Sequence, residues 1–340
     1  MKQPLKNNDK SLLEMRKKLL NERFPSGFRK DIASRNVTNL ILSVFGTLCY
    51  CVAAFMIAYS IQQIVNNERI QQGLSHEVTQ YIKTSPRKDE QERVALAKRY
   101  NSKIPSITVR GDVINPETGQ YYENEDKDYQ KALNINGSGA IGVVRIPKIS
   151  VEQTLYHGTL SDTLSMGIGH VYGTALPIGE PSTLSSIAAH SGGVLHLMFS
   201  RLPELQVGDY IYMDVLEEET GYQIIAREIV NPEDMAKRTT FYEKKAKKEH
   251  TSLLWLNCCY PIGVNAQRFV VVAQKKSIPK PIPPSYTQED VNMKFAYVGV
   301  IVFIILMIIY VLYKVVYCQI KVHKRLKEID REIEEQLKTA

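Results

Sequence analysis

The sequence predicts a mainly β domain held between two membrane-spanning helices. Three observations carry this. Two runs, Leu40 to Ile61 and Phe295 to Tyr313, contain no charged residue, and each is about the length that crosses a bilayer core of roughly 30 Å. Between them, from residue 141 to 274, short β-rich segments follow one another at turn-separated intervals. Basic residues gather outside both apolar runs, which sets an orientation.

The first apolar run is longer than the hydrophobic region of a signal peptide, and no small-residue cleavage pattern follows it, so it is read as an uncleaved anchor. Lys2, Lys6, Lys10, Arg16, Lys17, Lys18, Arg23, Arg29, Lys30 and Arg35 precede it. Lys314, Lys321, Lys324, Arg325 and Lys327 follow the second run. Cations stay on the cytoplasmic side, which places both termini inside and the intervening domain outside a cell membrane. These flanks account for most of the net charge of +7. The charge therefore does not argue for nucleic acid, and no zinc-finger or RNA-binding pattern is present.

Residues 62–101 are polar, with apolar residues at helical spacing in "QERVALAKRY", and read as membrane-proximal helices broken near Ser85-Pro86. Residues 102–136 are rich in Gly, Pro, Asn and Asp and read as a long loop, a candidate lid or linker. The segments "IGVVRIPKI", "VEQTLYHG", "TLSSIAAH", "DYIYMDVL", "YQIIAREIV", "LLWLNCC" and "RFVVVAQ" then predict a β-sandwich or barrel with little helix beyond a turn in "FSRLPELQ". A Pro-rich linker leads to the second apolar run. The C-terminal tail has mixed charge at helical spacing, for a solvated or partner-binding helix. The expected organisation is thus a basic cytoplasmic segment (1–39), a span (40–61), a membrane-proximal helical region with a candidate lid (62–137), a β domain (138–276), a linker (277–294), a span (295–313) and a cytoplasmic tail (314–340).

Cysteine usage narrows the chemistry. Cys49 and Cys51 lie in the first apolar run and Cys318 just past the second, so only Cys258 and Cys259 face outside. A bridge between adjacent residues closes almost no loop and would stabilise little. No further cysteine is available for a Cys-rich zinc site, and no acidic cluster argues for calcium. No cofactor or metal is expected.

In "LWLNCCYPIGVNAQR" strand alternation separates the doublet. Leu254, Leu256 and Cys258 share an apolar face, whereas Trp255, Asn257 and Cys259 share a mixed face that would line a groove. Reactive cysteines sit partly exposed near positive charge, and buried ones are inert. Cys259 is therefore the candidate nucleophile. If the strands on either side of "PIGVNA" form a hairpin, Arg268 returns beside Cys259, where a guanidinium favours a thiolate and can hold a carbonyl oxygen. A Cys nucleophile also needs an acid/base partner. Of His76, His157, His170, His190, His196 and His250, His190 leads, because it ends a β-like run at a Ser-Gly-Gly loop; His157 and His170 come next. Trp255, Asn257 and Asn265 are candidate substrate contacts from their strand and loop positions.

These residues resemble a known family. "GIGHVYGTALPIG" is similar to a G-x-G-H-x-x-G-T-x-x-P-x-G stretch, "AAHSG" to a segment carrying a catalytic His, and "CYPIGVNAQR" to a nucleophile Cys with its Gly-Val-Asn loop and Arg. Over residues 139–274 the chain resembles the class C sortases, the pilin-polymerising transpeptidases of Gram-positive bacteria. The resemblance implies a sortase-like eight-stranded β-barrel with short helices, the nucleophile at Cys259, the acid/base at His190 and the essential arginine at Arg268. It also implies the activity: cleavage of an LPxTG-like sorting signal at Thr-Gly through a thioester, and transfer to an amine. Implied partners are pilin or surface proteins with such signals and an acceptor amine, a pilin lysine or cell-wall peptide. A cell-wall-anchoring sortase, a hydrolytic cysteine peptidase and a catalytically weak assembly scaffold are the alternatives. Two places depart from the family pattern. Cys258 and Trp255 stand where T-L-x-T-C has Thr, so a small polar group beside the nucleophile is missing. No Asp-Pro-aromatic lid anchor occurs between Lys103 and Glu125.

Overall fold

The computed structural model describes residues 28–135, 137–192, 198–217, 219–279 and 288–339, together with residues 11, 14, 15, 17, 18 and 22. Two compact units result: residues 1–59 with 295–340, and residues 60–294.

The first unit is helical. Helix α1 (Phe28–Thr84) carries an apolar stretch at Ile41–Gln63, and the C-terminal helix (Gln288–Thr339) one at Val298–Arg325. Their mean hydropathies are 2.2 and 2.7, and both are long and apolar enough to cross a membrane. Leu48, Phe55, Leu306 and Leu312 on these stretches are exposed.

The second unit is a closed barrel. Its strands are β1 (Ala140–Ile146), β2 (Val151–His157), β3 (Ile168–His170), β4 (Thr183–Ala188), β5 (Tyr210–Asp214), β6 (Thr220–Val230), β7 (Ser252–Tyr260) and β8 (Gln267–Lys276). They run in the order β1-β2-β3-β4-β7-β8-β6-β5, with β5 closing onto β1. The β2–β3 and β4–β7 pairs are parallel and the others antiparallel. Closure leaves no sheet edge to aggregate. The eight strands agree with the fold class read from the sequence. The segment reading alone lacks β3, which at three residues is too short to show an alternation.

Alternation explains why "SLLWLNCCY" is nearly continuously apolar. Leu254, Leu256 and Cys258 enter the barrel core with Val271, Ile187 and Phe199. Leu253 and Trp255 point the other way, into a second core with Leu184, Val270, Val272, Val230, Tyr242 and Ala246. That second layer requires a cover, supplied by a helix between β6 and β7 at Met235–Lys248. The expectation of almost no helix in this region is therefore corrected. The helix buries Thr239, Tyr242 and Ala246, spaced three and four apart. Pro232 with Glu233 and Asp234 precedes it, and Lys245, Lys247 and Lys248 fill its last turn, as the helix dipole favours.

Between α1 and the barrel, α2 (Arg87–Lys103) begins after Ser85-Pro86, and α3 (Tyr122–Glu125) and α4 (Lys127–Lys131) follow. Three further helices complete the numbering: α5 (Ser161–Met166), α6 (Met235–Lys248) and α7 (Gln288–Thr339). Tyr100 of α2, Tyr129 of α4 and Tyr172 of the β3–β4 connection meet with ring centroids 5.1–6.4 Å apart. The Tyr129 hydroxyl accepts the Gly158 N–H at 2.8 Å and lies 3.0 Å from Nδ1 of His170.

Glu123 of α3 is 2% exposed in this layer. Burial, and next the charge of Asp112, push its pKa up to about 7. Gly158 faces it with a left-handed backbone, and a Cβ there would run into the carboxylate. The folded state therefore holds a proton that the unfolded chain releases near the ordinary carboxylate pKa. Stability is complete at acid pH and falls as pH rises through about 7, by about 3 kcal/mol. Thermal melts at acid and alkaline pH should show this loss, and Glu123→Gln should remove it.

Candidate active site

The row of three strands β4–β7–β8 brings the candidate residues together. Ala188 pairs with Asn257, and Cys259 with Arg268. The Ala189 N–H donates to the Asn257 carbonyl at 3.3 Å, extending β4 beyond its last ladder pair. Two residues past the Ala188–Asn257 pair, the register continues to His190 beside Cys259. His190, Cys259 and Arg268 thus occupy one end of three neighbouring strands. His190 is exposed, and Cys259 and Arg268 are half-buried.

The two cysteines have different surroundings. Cys258 is 3% exposed, and its thiol donates to the Phe199 carbonyl at 3.5 Å. Burial, and next the neighbouring Cys259, push its pKa up to about 12, which keeps it a protonated thiol at neutral pH. Cys259 turns outward, away from that core. Arg268 donates from Nη1 to the carbonyls of Asn265 at 3.1 Å and Gln267 at 3.0 Å. Among the described residues, its Nε and Nη2 make no hydrogen bond and are free for an incoming oxygen. Asn265 takes part through its backbone, in a left-handed conformation with φ 58°.

Asn257 is half-buried and donates from Nδ2 to the Ile187 carbonyl at 3.2 Å, joining β7 to β4 just before the site. Trp255 is corrected. It shares the face of Cys259, but α6 covers that face up to Trp255, whose ring is 0% exposed and meets Tyr242 edge-on at 5.6 Å. It is core and touches no groove. Trp255→Ala should cost about 3–5 kcal/mol of stability, read as a fall in denaturation midpoint, with no change in KM for a peptide substrate.

The other histidines divide by burial. His157 directs Nε2 and Nδ1 at the carbonyls of Ala132 (2.8 Å) and Gly139 (3.0 Å). Burial lowers its pKa, and burial pushes that of His170 down to about 3. Both are structural members of the layer around Tyr129. His76 lies on α1 and His250 follows α6, both exposed; His196 lies outside the described residues.

The candidate lid does not attach to the site. Its Gly111 N–H donates to Tyr172 O at 2.9 Å, Asp112 accepts from the Thr159 hydroxyl, and Arg110 pairs with Glu243 of α6 at 2.7 Å. Among the described residues, no hydrogen bond or ion pair links residues 103–125 to His190, Cys259 or Arg268. No group of three or more His, Cys, Asp or Glu among the described residues is arranged to hold a metal. Sequence reasoning missed Ser191, whose hydroxyl donates to the Cys259 carbonyl at 2.5 Å.

The sortase domain family matches residues 144–276. Sortase D of Bacillus subtilis (strain 168) is 28% identical over 139 residues, 40% of this chain and 64% of that protein. The chain therefore spans just under two thirds of that relative's length. Among solved structures, sortase C of Streptococcus pneumoniae is 27% identical, with a TM-score of 0.50 over 62% of this chain and 100% of that one. Sortase C1 of Streptococcus agalactiae is also 27% identical, with a TM-score of 0.50 over 61% of this chain and 99% of that one.

Proposed function

From a chain whose residues 144–276 are a sortase domain, we propose a membrane-anchored cysteine transpeptidase that joins surface proteins to an amine. The observation that carries it is the register of β4, β7 and β8: Cys259 opposite Arg268, with His190 two residues past the last ladder pair of β4, Ala188 with Asn257.

The reaction follows from the three groups. The Cys259 thiolate attacks the Thr-Gly carbonyl of an LPxTG-like sorting signal and forms the C–S bond. The carbonyl oxygen gains negative charge, which the free Arg268 nitrogens stabilise. His190 gives its proton to the departing glycine amine as the C–N bond breaks, leaving a thioester. An acceptor amine then attacks that carbonyl and gives a proton to the now neutral His190 as the C–S bond breaks, and Cys259 leaves as thiolate. The similar sortase C of S. pneumoniae is described by its pilin substrate specificity, which supports a pilin lysine as acceptor. The basic flanks of the two apolar stretches support a catalytic domain outside the membrane and both termini in the cytoplasm.

The test is turnover of a sorting-signal peptide by the full chain in detergent micelles, with and without a pilin-lysine peptide. The proposal expects an amide-linked product that grows with amine at the expense of hydrolysed peptide. Hydrolysed peptide alone, whatever the amine, identifies a peptidase. Amide formation only with cell-wall peptide identifies an anchoring enzyme.

A further inference from the structure

The parallel ladder between β4 and β7 ends in an unusual way. The Ala189 N–H donates to Asn257 O at 3.3 Å. The same two-residue step would bring the Ser191 N–H to the Cys259 carbonyl. Instead the bond to that carbonyl comes from the Ser191 side chain, whose hydroxyl donates at 2.5 Å. Beyond it the chain turns away: Gly192 has φ 78°, and its N–H goes to the Ser200 hydroxyl at 2.9 Å. The His190 carbonyl is held separately, by the Phe199 N–H at 3.1 Å.

A side-chain hydroxyl therefore replaces a ladder amide at the point where the acid/base residue must leave the strand. The His190 peptide is freed from strand geometry, while the peptide of Cys259 stays fastened to it. In this way the segment after the histidine brings a hydroxyl to the nucleophile's backbone, although "LWLNCC" itself offers none.

We propose that Ser191 is a positioning residue, holding the Cys259 peptide so that its sulfur stays at the level of His190. This deepens the transpeptidase reading and rests on it. Ser191 contacts no reacting atom; it acts through the nucleophile's backbone. Its loss should slow the acylation step, where alignment matters most, and leave peptide binding intact.

The test compares the full chain in detergent micelles as wild type, Ser191→Ala and Ser191→Thr. Acylation by a sorting-signal peptide is followed at several peptide concentrations, and rates are normalised to the native fraction measured from circular-dichroism melts. Ser191→Ala should lower kcat about ten- to a hundredfold with KM within twofold of wild type. Ser191→Thr, which keeps the hydroxyl, should recover most of that rate. The proposal is overturned if wild type is active and Ser191→Ala stays within twofold of it. It is equally overturned if the loss falls on KM, if unfolded protein accounts for it, or if Ser191→Thr is no better than Ser191→Ala. An inactive wild type removes the transpeptidase reading itself and is recognised before the variants are compared.

Discussion

Cys259→Ala abolishes thioester formation, with a fall of at least about 10³-fold in kcat/KM, whereas Cys258→Ala still acylates. The argument is one of position. Both residues are cysteines on one strand, but alternation gives them to opposite sides of the sheet. The Cys258 thiol lies within the barrel core on the Phe199 carbonyl, held protonated by burial. A sorting-signal peptide cannot reach it without opening the barrel. Removing it leaves a small cavity, while the Phe199 carbonyl keeps the Leu202 N–H at 3.0 Å, so Cys258→Ala should lose about 1–2 kcal/mol of stability, visible as a lower denaturation midpoint. Cys259 faces outward beside Arg268. Quenched-peptide turnover of both variants, with melts to confirm folding, separates the two roles.

Arg268→Lys lowers kcat/KM about 10²- to 10³-fold, although the charge is kept. The guanidinium is fixed by two hydrogen bonds from Nη1 to the carbonyls of Asn265 and Gln267. Those bonds hold Nη1 on the loop and leave Nε and Nη2 without a hydrogen bond among the described residues, at the strand position opposite Cys259. An ammonium is a single point on a flexible stem; it cannot bind the loop carbonyls and present a second donor in a fixed direction. The loss should fall mainly on kcat, because the developing oxyanion is what the fork meets. Steady-state kinetics of Arg268→Lys against wild type at several peptide concentrations checks this. A variant within tenfold of wild type would mean that charge alone suffices.

Much of the barrel is legible in the sequence because its strands carry period-two patterns, and the split between Cys258 and Cys259 follows from that period alone. The cover over Trp255 is not legible in the same way. Helix α6 buries only Thr239, Tyr242 and Ala246 among six basic side chains, so its apolar stripe is faint. Its Pro232 start, acidic first residues and lysine-rich end are the signals that mark it. The histidines show a different limit. His157 and His170 end β2 and β3, and His190 follows β4; only their packing separates two buried, carbonyl-bonded rings from one exposed ring. The clamp on residues 110–112 is invisible for a third reason. Its partners Tyr172, Thr159 and Glu243 lie far along the chain, and no local pattern encodes a contact at such separation. Ser191 belongs with these, since its role depends on which carbonyl stands across the sheet.

The central claim is that one named sulfur carries the acyl group. The direct measurement is mass spectrometry of the full chain stopped during turnover of a sorting-signal peptide without acceptor amine, with fragmentation across Cys258 and Cys259. The account predicts a hydroxylamine-sensitive adduct of the cleaved peptide on Cys259, with Cys258 unmodified. An adduct on Cys258, or peptide cleavage with no adduct on either cysteine, would contradict it.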